Sequence, residues 1–265
     1  MAVYLNGVEV RPTVFPDKTQ QVWQLPDIPV CLGKPMTIHW DFESDSELMT
    51  VAQLRTLVGP HTEVVLVVDY LPYGRQDKLV SNKTTFGLHT FATLINALKF
   101  HHVMTTDAHS GEAMRLIERL VDKPVFRRIC AVIVLGDFET VVFPDAGAAG
   151  RYTTRTQDAL STELLPRTSA LGVLQKTRDP ATGALTMDGC RTVHGDLTAA
   201  KRILMVDDIC DGGRTFELGA QVLRKLNPTA VIGLYVTHAL MTRGFDHLVA
   251  AGITEFYDHK QRLTP

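Results

Sequence analysis

Three aspartates and two glycines lie within seven residues of one another, Asp207, Asp208, Asp211, Gly212 and Gly213, and a threonine hydroxyl follows at Thr215. Paired carboxylates accept hydrogen bonds from hydroxyl groups, and consecutive glycines let backbone N–H groups turn inward around a phosphate. The chemistry this set suits is the capture of a small phosphorylated ligand. Two elements must position it. Ile203 to Val206 is an apolar run of the kind a parallel sheet buries on both faces. The acids then fall at its carboxyl end, where open α/β sheets bind ligands. Phe216 to Leu226 has helical apolar spacing, so a helix N-terminus faces the same anion.

The segment Val206-Asp-Asp-Ile-Cys-Asp-Gly-Gly-Arg-Thr215 resembles the phosphoribosyl pyrophosphate loop of two families, the type I phosphoribosyltransferases and the ribose-phosphate pyrophosphokinases. A second segment separates them. Tyr73-Gly-Arg-Gln-Asp-Lys78 resembles the element with which the pyrophosphokinases hold ATP, and which phosphoribosyltransferases lack. That resemblance implies ATP-binding roles for Arg75, Gln76, Asp77 and Lys78. Arg75 offers a planar guanidinium fork, Gln76 an amide and Lys78 a mobile charge.

Further segments follow in the family's order. Thr105-Thr-Asp-Ala-His109 resembles its Thr-x-Asp-x-His element, which implies that His109 contributes to a magnesium site, although Mg²⁺ prefers oxygen ligands. If the backbone there is extended, Asp107 and His109 share one side. Phe15-Pro-Asp17 resembles an element that reaches across a subunit interface to adenine, which implies ATP contacts by Phe15 and Asp17; the family's following Glu is Thr19 here. Pro144-Asp-Ala-Gly-Ala148 resembles the Pro-Asp-x-Gly-Gly turn, making Asp145 a metal-site carboxylate, with Ala148 in place of the second glycine. The polar stretch from Gln175 to Gly195 resembles the family's flexible catalytic loop, whose Lys-x-Arg pair is Lys176 and Arg178. Thr237-His238 resembles another conserved step of the family near the active site.

The remaining patterns give an α/β fold: two phosphoribosyltransferase-like domains, each a mostly parallel sheet flanked by helices. Short strands are expected at Val3–Leu5, Val8–Val10 and Val22–Leu25, and a helix over Ser46–Val58 capped by Ser44 or Ser46. A central strand is expected within Glu63–Tyr70 and a helix over Phe86–Leu98. Val121 to Ile133 reads as a connection between domains of residues 1–134 and 135–265. Strands are expected at Thr140–Phe143, Leu171–Leu174, Ala230–Val236 and Ile253–Tyr257, with a helix over Phe245–Ala251. Pro180, Gly183 and Gly189 argue for a long irregular loop before Gly195.

The bulk properties exclude several classes. A chain of 265 residues, 45% hydrophobic, can bury a sizeable core. A formal charge of -2 and a pI near 6.5 give no general attraction to nucleic acid or acidic membranes. The four cysteines, Cys31, Cys130, Cys190 and Cys210, form no C-x-x-C pair, which fits reduced thiols in a cytoplasm. No apolar run approaches membrane-spanning length, the N-terminus lacks a signal-peptide pattern, and no P-loop or G-x-G-x-x-G fingerprint occurs.

The resemblance implies a ribose-phosphate diphosphokinase, in a short form that stops before the family's usual last strand and helix. Its substrates would be Mg-ATP and ribose 5-phosphate, and its assembly a homodimer or larger. Arg214, inside the phosphate turn, leaves open a larger 5-substituted acceptor such as ADP-ribose. A phosphoribosyltransferase and a silent partner subunit are the other readings.

Overall fold

The computed structural model describes residues 2–27, 35–154, 168–178 and 185–265. It divides into two compact units, Met1–Pro124 and Val125–Pro265.

The first unit is built on a six-stranded sheet in the order β2-β1-β5-β6-β7-β8. Its strands are β1 (Ala2–Leu5), β2 (Val8–Glu9), β5 (Met36–Asp41), β6 (Val64–Val67), β7 (His102–Thr106) and β8 (Leu120–Lys123). The last four run parallel, and β1 closes one side antiparallel. A separate hairpin joins β3 (Thr13–Val14) to β4 (Gln20–Gln21), so the strand expected at Val22–Leu25 forms two residues earlier. The run Val64-Val-Leu66 is buried throughout, as a strand packed on both faces requires. Helices α1 (Ser46–Leu57), α2 (Gly87–Ala97) and the short α3 (Glu112–Leu116) pack on the sheet through Val51, Leu54, Leu88, Phe91 and Ile95. Neither Ser44 nor Ser46 caps α1. Glu47, in the first turn, instead holds the chain that enters the helix, its Oε2 accepting the N–H groups of Glu43 at 2.9 Å and Ser44 at 3.3 Å.

The second unit begins with α4 (Phe126–Leu135), a helix where the sequence suggested a connection. Ile129, Val132 and Ile133 bury one stripe of it against Phe138, Val141 and Phe143, so the boundary lies at Pro124/Val125 and not near residue 134. The sheet has seven strands in the order β11-β10-β9-β12-β13-β14-β15. They are β9 (Thr140–Phe143), β10 (Ala170–Arg178), β11 (Leu185–His194), β12 (Arg202–Cys210), β13 (Val231–Ala239), β14 (Ile253–Tyr257) and β15 (Arg262–Leu263). β10, β9, β12, β13 and β14 are parallel, with antiparallel β11 and β15 at the edges.

Alternation along β12 shows why its sequence is continuously apolar. Ile203 and Met205 enter one core with Phe216, Ala220 and Leu223 of α6 (Arg214–Leu226), while Leu204 and Val206 enter the other, with α4. The short α7 (Asp246–Ala250) adds Leu248 to the first core. Helix α5 (Ala146–Thr154) follows β9 directly.

Among the described residues the stretch after Leu174 is two strands and not a loop; Pro180 and Gly183 lie outside them. β10 continues to Arg178 and pairs antiparallel with β11, from Leu171↔His194 to Arg178↔Leu185, with two register shifts along the way. Met187 and Cys190 of β11 pack against the core, which gives this polar stretch one apolar face and a reason to be a strand.

Candidate functional site

In the second unit the chain leaves β9 for β10 on one side of the sheet and returns to β12 on the other. Such a reversal of strand order opens a crevice at the carboxyl ends of the strands. Three of the proposed elements come off those ends. Asp145 follows β9, Lys176 lies beyond the β9-paired part of β10, and Asp207 and Asp208 lie beyond the β9-paired part of β12.

Asp208 is 2% exposed, and Asp207 accepts its backbone N–H at 2.9 Å. Arg151 of α5 faces both acids, 2.5 Å from Asp208 Oδ1 and 3.8 Å from Asp207 Oδ1. Burial, and then the neighbouring Asp208 charge, push the Asp207 carboxyl well above the usual range; Arg151 opposes this without cancelling it. Burial works to lower the Arg151 pKa as well, but Asp208 outweighs it and holds the guanidinium charged.

The turn after β12 is shaped by its glycines. Gly213 sits in the left-handed region, at φ 74°, as the residue before α6, and its carbonyl accepts the N–H groups of Phe216 and Glu217 at 3.0 Å. A Cβ at this position would lie 2.5 Å from His247 Nε2 and 3.1 Å from Leu248 Cδ2, so only glycine fits. Asp211 Oδ1 accepts the Thr242 hydroxyl at 2.7 Å, which ties the turn to the loop after β13. Gly212 and Thr215 complete the turn, both partly exposed. Arg214 does not point into it. It opens α6, is exposed, and pairs with Glu217 at 2.8 Å.

Asp145 Oδ1 accepts the Ala148 N–H at 2.9 Å and Oδ2 faces Lys176 Nζ at 3.1 Å. Burial raises the Asp145 pKa, but the Ala148 N–H and the Lys176 charge together prevail and set it below its ordinary value. Arg178 ends β10, and its side chain lies outside the described residues.

In the first unit, the Arg75-Gln76-Asp77-Lys78 segment follows β6 and the Asp107–His109 segment follows β7, at adjacent strand ends. Arg75, Gln76 and Lys78 are exposed and Asp77 is partly so. A Cβ built on Gly74 would stand 3.7 Å from the His109 Cβ, so the two segments touch. Asp107 is not extended. It takes φ 53° and donates its N–H to Lys123 O, which turns His109 off the line that alternation would give. Tyr73, at φ 61°, donates its hydroxyl to Asp45 Oδ1 at 2.8 Å. Phe15 and Asp17 lie on the β3–β4 hairpin. Phe15 is half-buried against the Trp23 edge, and exposed Asp17 accepts the Thr19 N–H and hydroxyl at 3.0 and 2.7 Å. Thr19 therefore has a local role in closing the hairpin.

Known proteins are similar to this chain over much of its length. A ribose-phosphate pyrophosphokinase of Granulibacter bethesdensis is 29% identical over 201 residues, which cover 74% of this chain and 60% of that protein. One from Sulfolobus acidocaldarius is 28% identical over 202 residues, 73% of this chain and 63% of the relative. The chain is a distant homologue of the ribose-phosphate pyrophosphokinase family. It spans little more than half the length of the first of these curated relatives. No family model matches. The structure of a phosphoribosylpyrophosphate synthetase from Mycobacterium smegmatis superimposes with a TM-score of 0.62 at 19% identity, covering 79% of this chain and 65% of that one, and bears out the two-sheet α/β fold.

Beside these segments stand residues that the sequence alone does not single out. Arg151 lies just past the Pro144–Ala148 segment, and nothing in linear order says that it meets Asp208, 57 residues on. Asp45 accepts the Tyr73 hydroxyl and His247 stands against Gly213, and such pairings carry no spacing signal.

Proposed function

We propose that the chain is a ribose-phosphate diphosphokinase, transferring the β,γ-diphosphate of Mg-ATP to the C1 hydroxyl of ribose 5-phosphate and releasing AMP. The observation that supports it most is the meeting, at three adjacent strand ends, of the acid pair with its phosphate turn, Asp145 and Lys176. In this reading the ribose 2- and 3-hydroxyls donate hydrogen bonds to Asp207 and Asp208, and the 5-phosphate lies on the N–H groups of Asp211 to Thr215 at the start of α6. The C1 oxygen bonds to the β-phosphorus as the bond from that phosphorus to the oxygen of the leaving AMP breaks. Such a transfer depends on in-line positioning and charge neutralisation, and it uses no protein nucleophile.

Lys176 would leave Asp145 for the transferred diphosphate, joined by Arg178, and this exchange would free a carboxylate oxygen. Magnesium usually takes one or two carboxylates and completes its shell with substrate phosphates and water. Asp145 fits that pattern. Among the described residues no three His, Cys, Asp or Glu side chains gather as a self-contained metal cluster. His109, of the first unit, is the second metal-site candidate. Magnesium when bound supplies further neutralisation of the diphosphate. Arg75, Gln76, Asp77 and Lys78 are the donor-nucleotide residues, with Phe15 and Asp17 contributing in a homodimer or larger assembly. A cytoplasmic setting agrees with the cysteines that are free among the described residues, Cys130, Cys190 and Cys210. No helix among the described residues is long and apolar enough to cross a membrane.

A second reading keeps the chemistry and enlarges the acceptor. Arg214 stands exposed at the first position of α6, and if it left Glu217 it would offer a guanidinium to a second phosphate, as in ADP-ribose. Incubation with ATP, Mg²⁺ and either ribose 5-phosphate or ADP-ribose distinguishes the acceptors. AMP with phosphoribosyl pyrophosphate is expected. ADP as the product, or no turnover with any 5-substituted ribose, would overturn the proposal.

A further inference from the structure

Two ion pairs hang on one helix. α5 starts from Asp145, whose Oδ1 accepts the Ala148 N–H while its Oδ2 faces Lys176 Nζ at 3.1 Å. Six positions on, about 9 Å along the axis at the helical rise per residue, Arg151 sets its guanidinium against Asp208 and Asp207.

The two pairs differ in depth. The side chains of Lys176 and Asp145 are 23% and 35% exposed, so water can replace either partner when the other leaves. Those of Arg151 and Asp208 are 11% and 3% exposed. A charge left there without its partner would stand uncompensated in the interior, so this pair stays closed when the other opens. The core holds the guanidinium from its other side, 5.8 Å over the ring of Tyr152, which stacks on Phe143 with 6.0 Å between centroids and 11° between planes. Both rings are buried.

Successive residues of a strand point to opposite faces, so two neighbouring acids do not of themselves converge on one ligand. Arg151 overcomes that divergence. One of its nitrogens, Nη1, stands 2.5 Å from Asp208 Oδ1 and 3.8 Å from Asp207 Oδ1, and Asp207 Oδ1 also accepts the Asp208 N–H. The direction of both carboxyl groups is thus set by the protein before a sugar arrives.

We infer that Arg151 is the positioning residue of the acceptor site: it stays on the acid pair while Lys176 leaves Asp145, and it gathers Asp207 and Asp208 so that both accept hydroxyls of one ribose and its C1 oxygen is held in line for transfer. This rests on the reading of Asp207 and Asp208 as the acceptors of the ribose hydroxyls. Arg151 itself touches no reacting atom.

Its loss should therefore appear in kcat and in the use of the hydroxyls. Arg151→Gln should lower kcat by roughly a hundredfold, the scale of a misplacement of about 1 Å, with KM for ATP unmoved and KM for ribose 5-phosphate raised only a few-fold because the turn before α6 is intact. Arg151→Lys keeps the charge without the planar fork and should recover roughly tenfold of the loss. The decisive comparison uses 2-deoxyribose 5-phosphate, in turnover and in calorimetric binding without ATP. The parent should prefer ribose 5-phosphate by roughly tenfold or more, and Arg151→Gln should reduce that preference toward one, since the side chain and the 2-hydroxyl act through the same acids. Should Arg151→Gln fail to fold, Arg151→Lys carries the same comparison, with the preference reduced. An unchanged kcat, or an unchanged preference in a folded Arg151 variant that still forms AMP, would overturn the inference and leave the diphosphokinase reading standing. A preference in binding that falls with Arg151, in a protein that forms no AMP, would support the inference and defeat that reading.

Discussion

Asp207 and Asp208 place two carboxylates side by side at the end of a buried strand, with one guanidinium to serve both. Asp207 pays for the arrangement, since its pKa lies well above the ordinary value because of burial and then Asp208. A carboxyl raised in the folded state binds more protons there than in the unfolded chain, so over the interval up to its raised value folding is favoured by falling pH. Asp207→Asn keeps an oxygen to accept the Asp208 N–H and removes the like charge. It should raise the thermal midpoint by a few degrees and abolish AMP formation, and calorimetry beside the turnover assay checks both. Asp145 carries the opposite sign. Its pKa is depressed: burial pushes it up, but the Ala148 N–H and Lys176 prevail. Its contribution is therefore present above the usual carboxylate range and lost as pH falls through the depressed value. In urea denaturation across acidic pH, Asp145→Asn should be less stable than the parent near neutrality, and the difference should vanish at the acid end.

At the scale of elements, the strands and helices that hold the site were legible where their patterns are strict. Thr140–Phe143 and α6 fall where apolar runs and helical spacing put them, because each is buried on both faces or along one stripe, while β12 runs past Val206 to Cys210 and takes both acids into the strand. What misled was polarity. The β10–β11 arms carry Gln175, Lys176, Thr177, Asp188 and Arg191, a loop-like composition, yet the alternate residues Leu174, Met187 and Cys190 face a core whose existence only the fold reveals. The helix at Phe126–Leu135 was hidden for a related reason, since Pro124 and Arg127-Arg128 suggested a linker, while Ile129, Val132 and Ile133 make its buried stripe. The turn after β12 was legible as glycine. Its cause at Gly213 is both the left-handed backbone and the His247 ring against it. Gly213→Ala should destabilise by about 1–3 kcal/mol through backbone strain and the collision. Adding His247→Ala should recover the collision alone, which chemical denaturation of the single and double variants resolves.

For the whole molecule, the division into two compact units with separate cores separates the residues proposed for the two substrates. Gln76 and Lys78 belong to the unit ending at Pro124, and Asp208, Gly213 and Thr215 to the unit that follows. Each set hangs on its own sheet, so a substitution that only trims a side chain in one unit leaves the frame of the other intact. Gln76→Ala should then raise KM for ATP and leave KM for ribose 5-phosphate nearly unchanged. Thr215→Ala should do the reverse, by roughly tenfold for the loss of one hydrogen bond to a charged phosphate. The double variant should show the two effects multiplied, because residues that share no partner add in free energy. Initial-rate measurements with each substrate varied at fixed excess of the other provide the comparison. If Gln76→Ala moved the ribose phosphate KM as strongly as the ATP KM, the assignment of donor and acceptor to different units would fail.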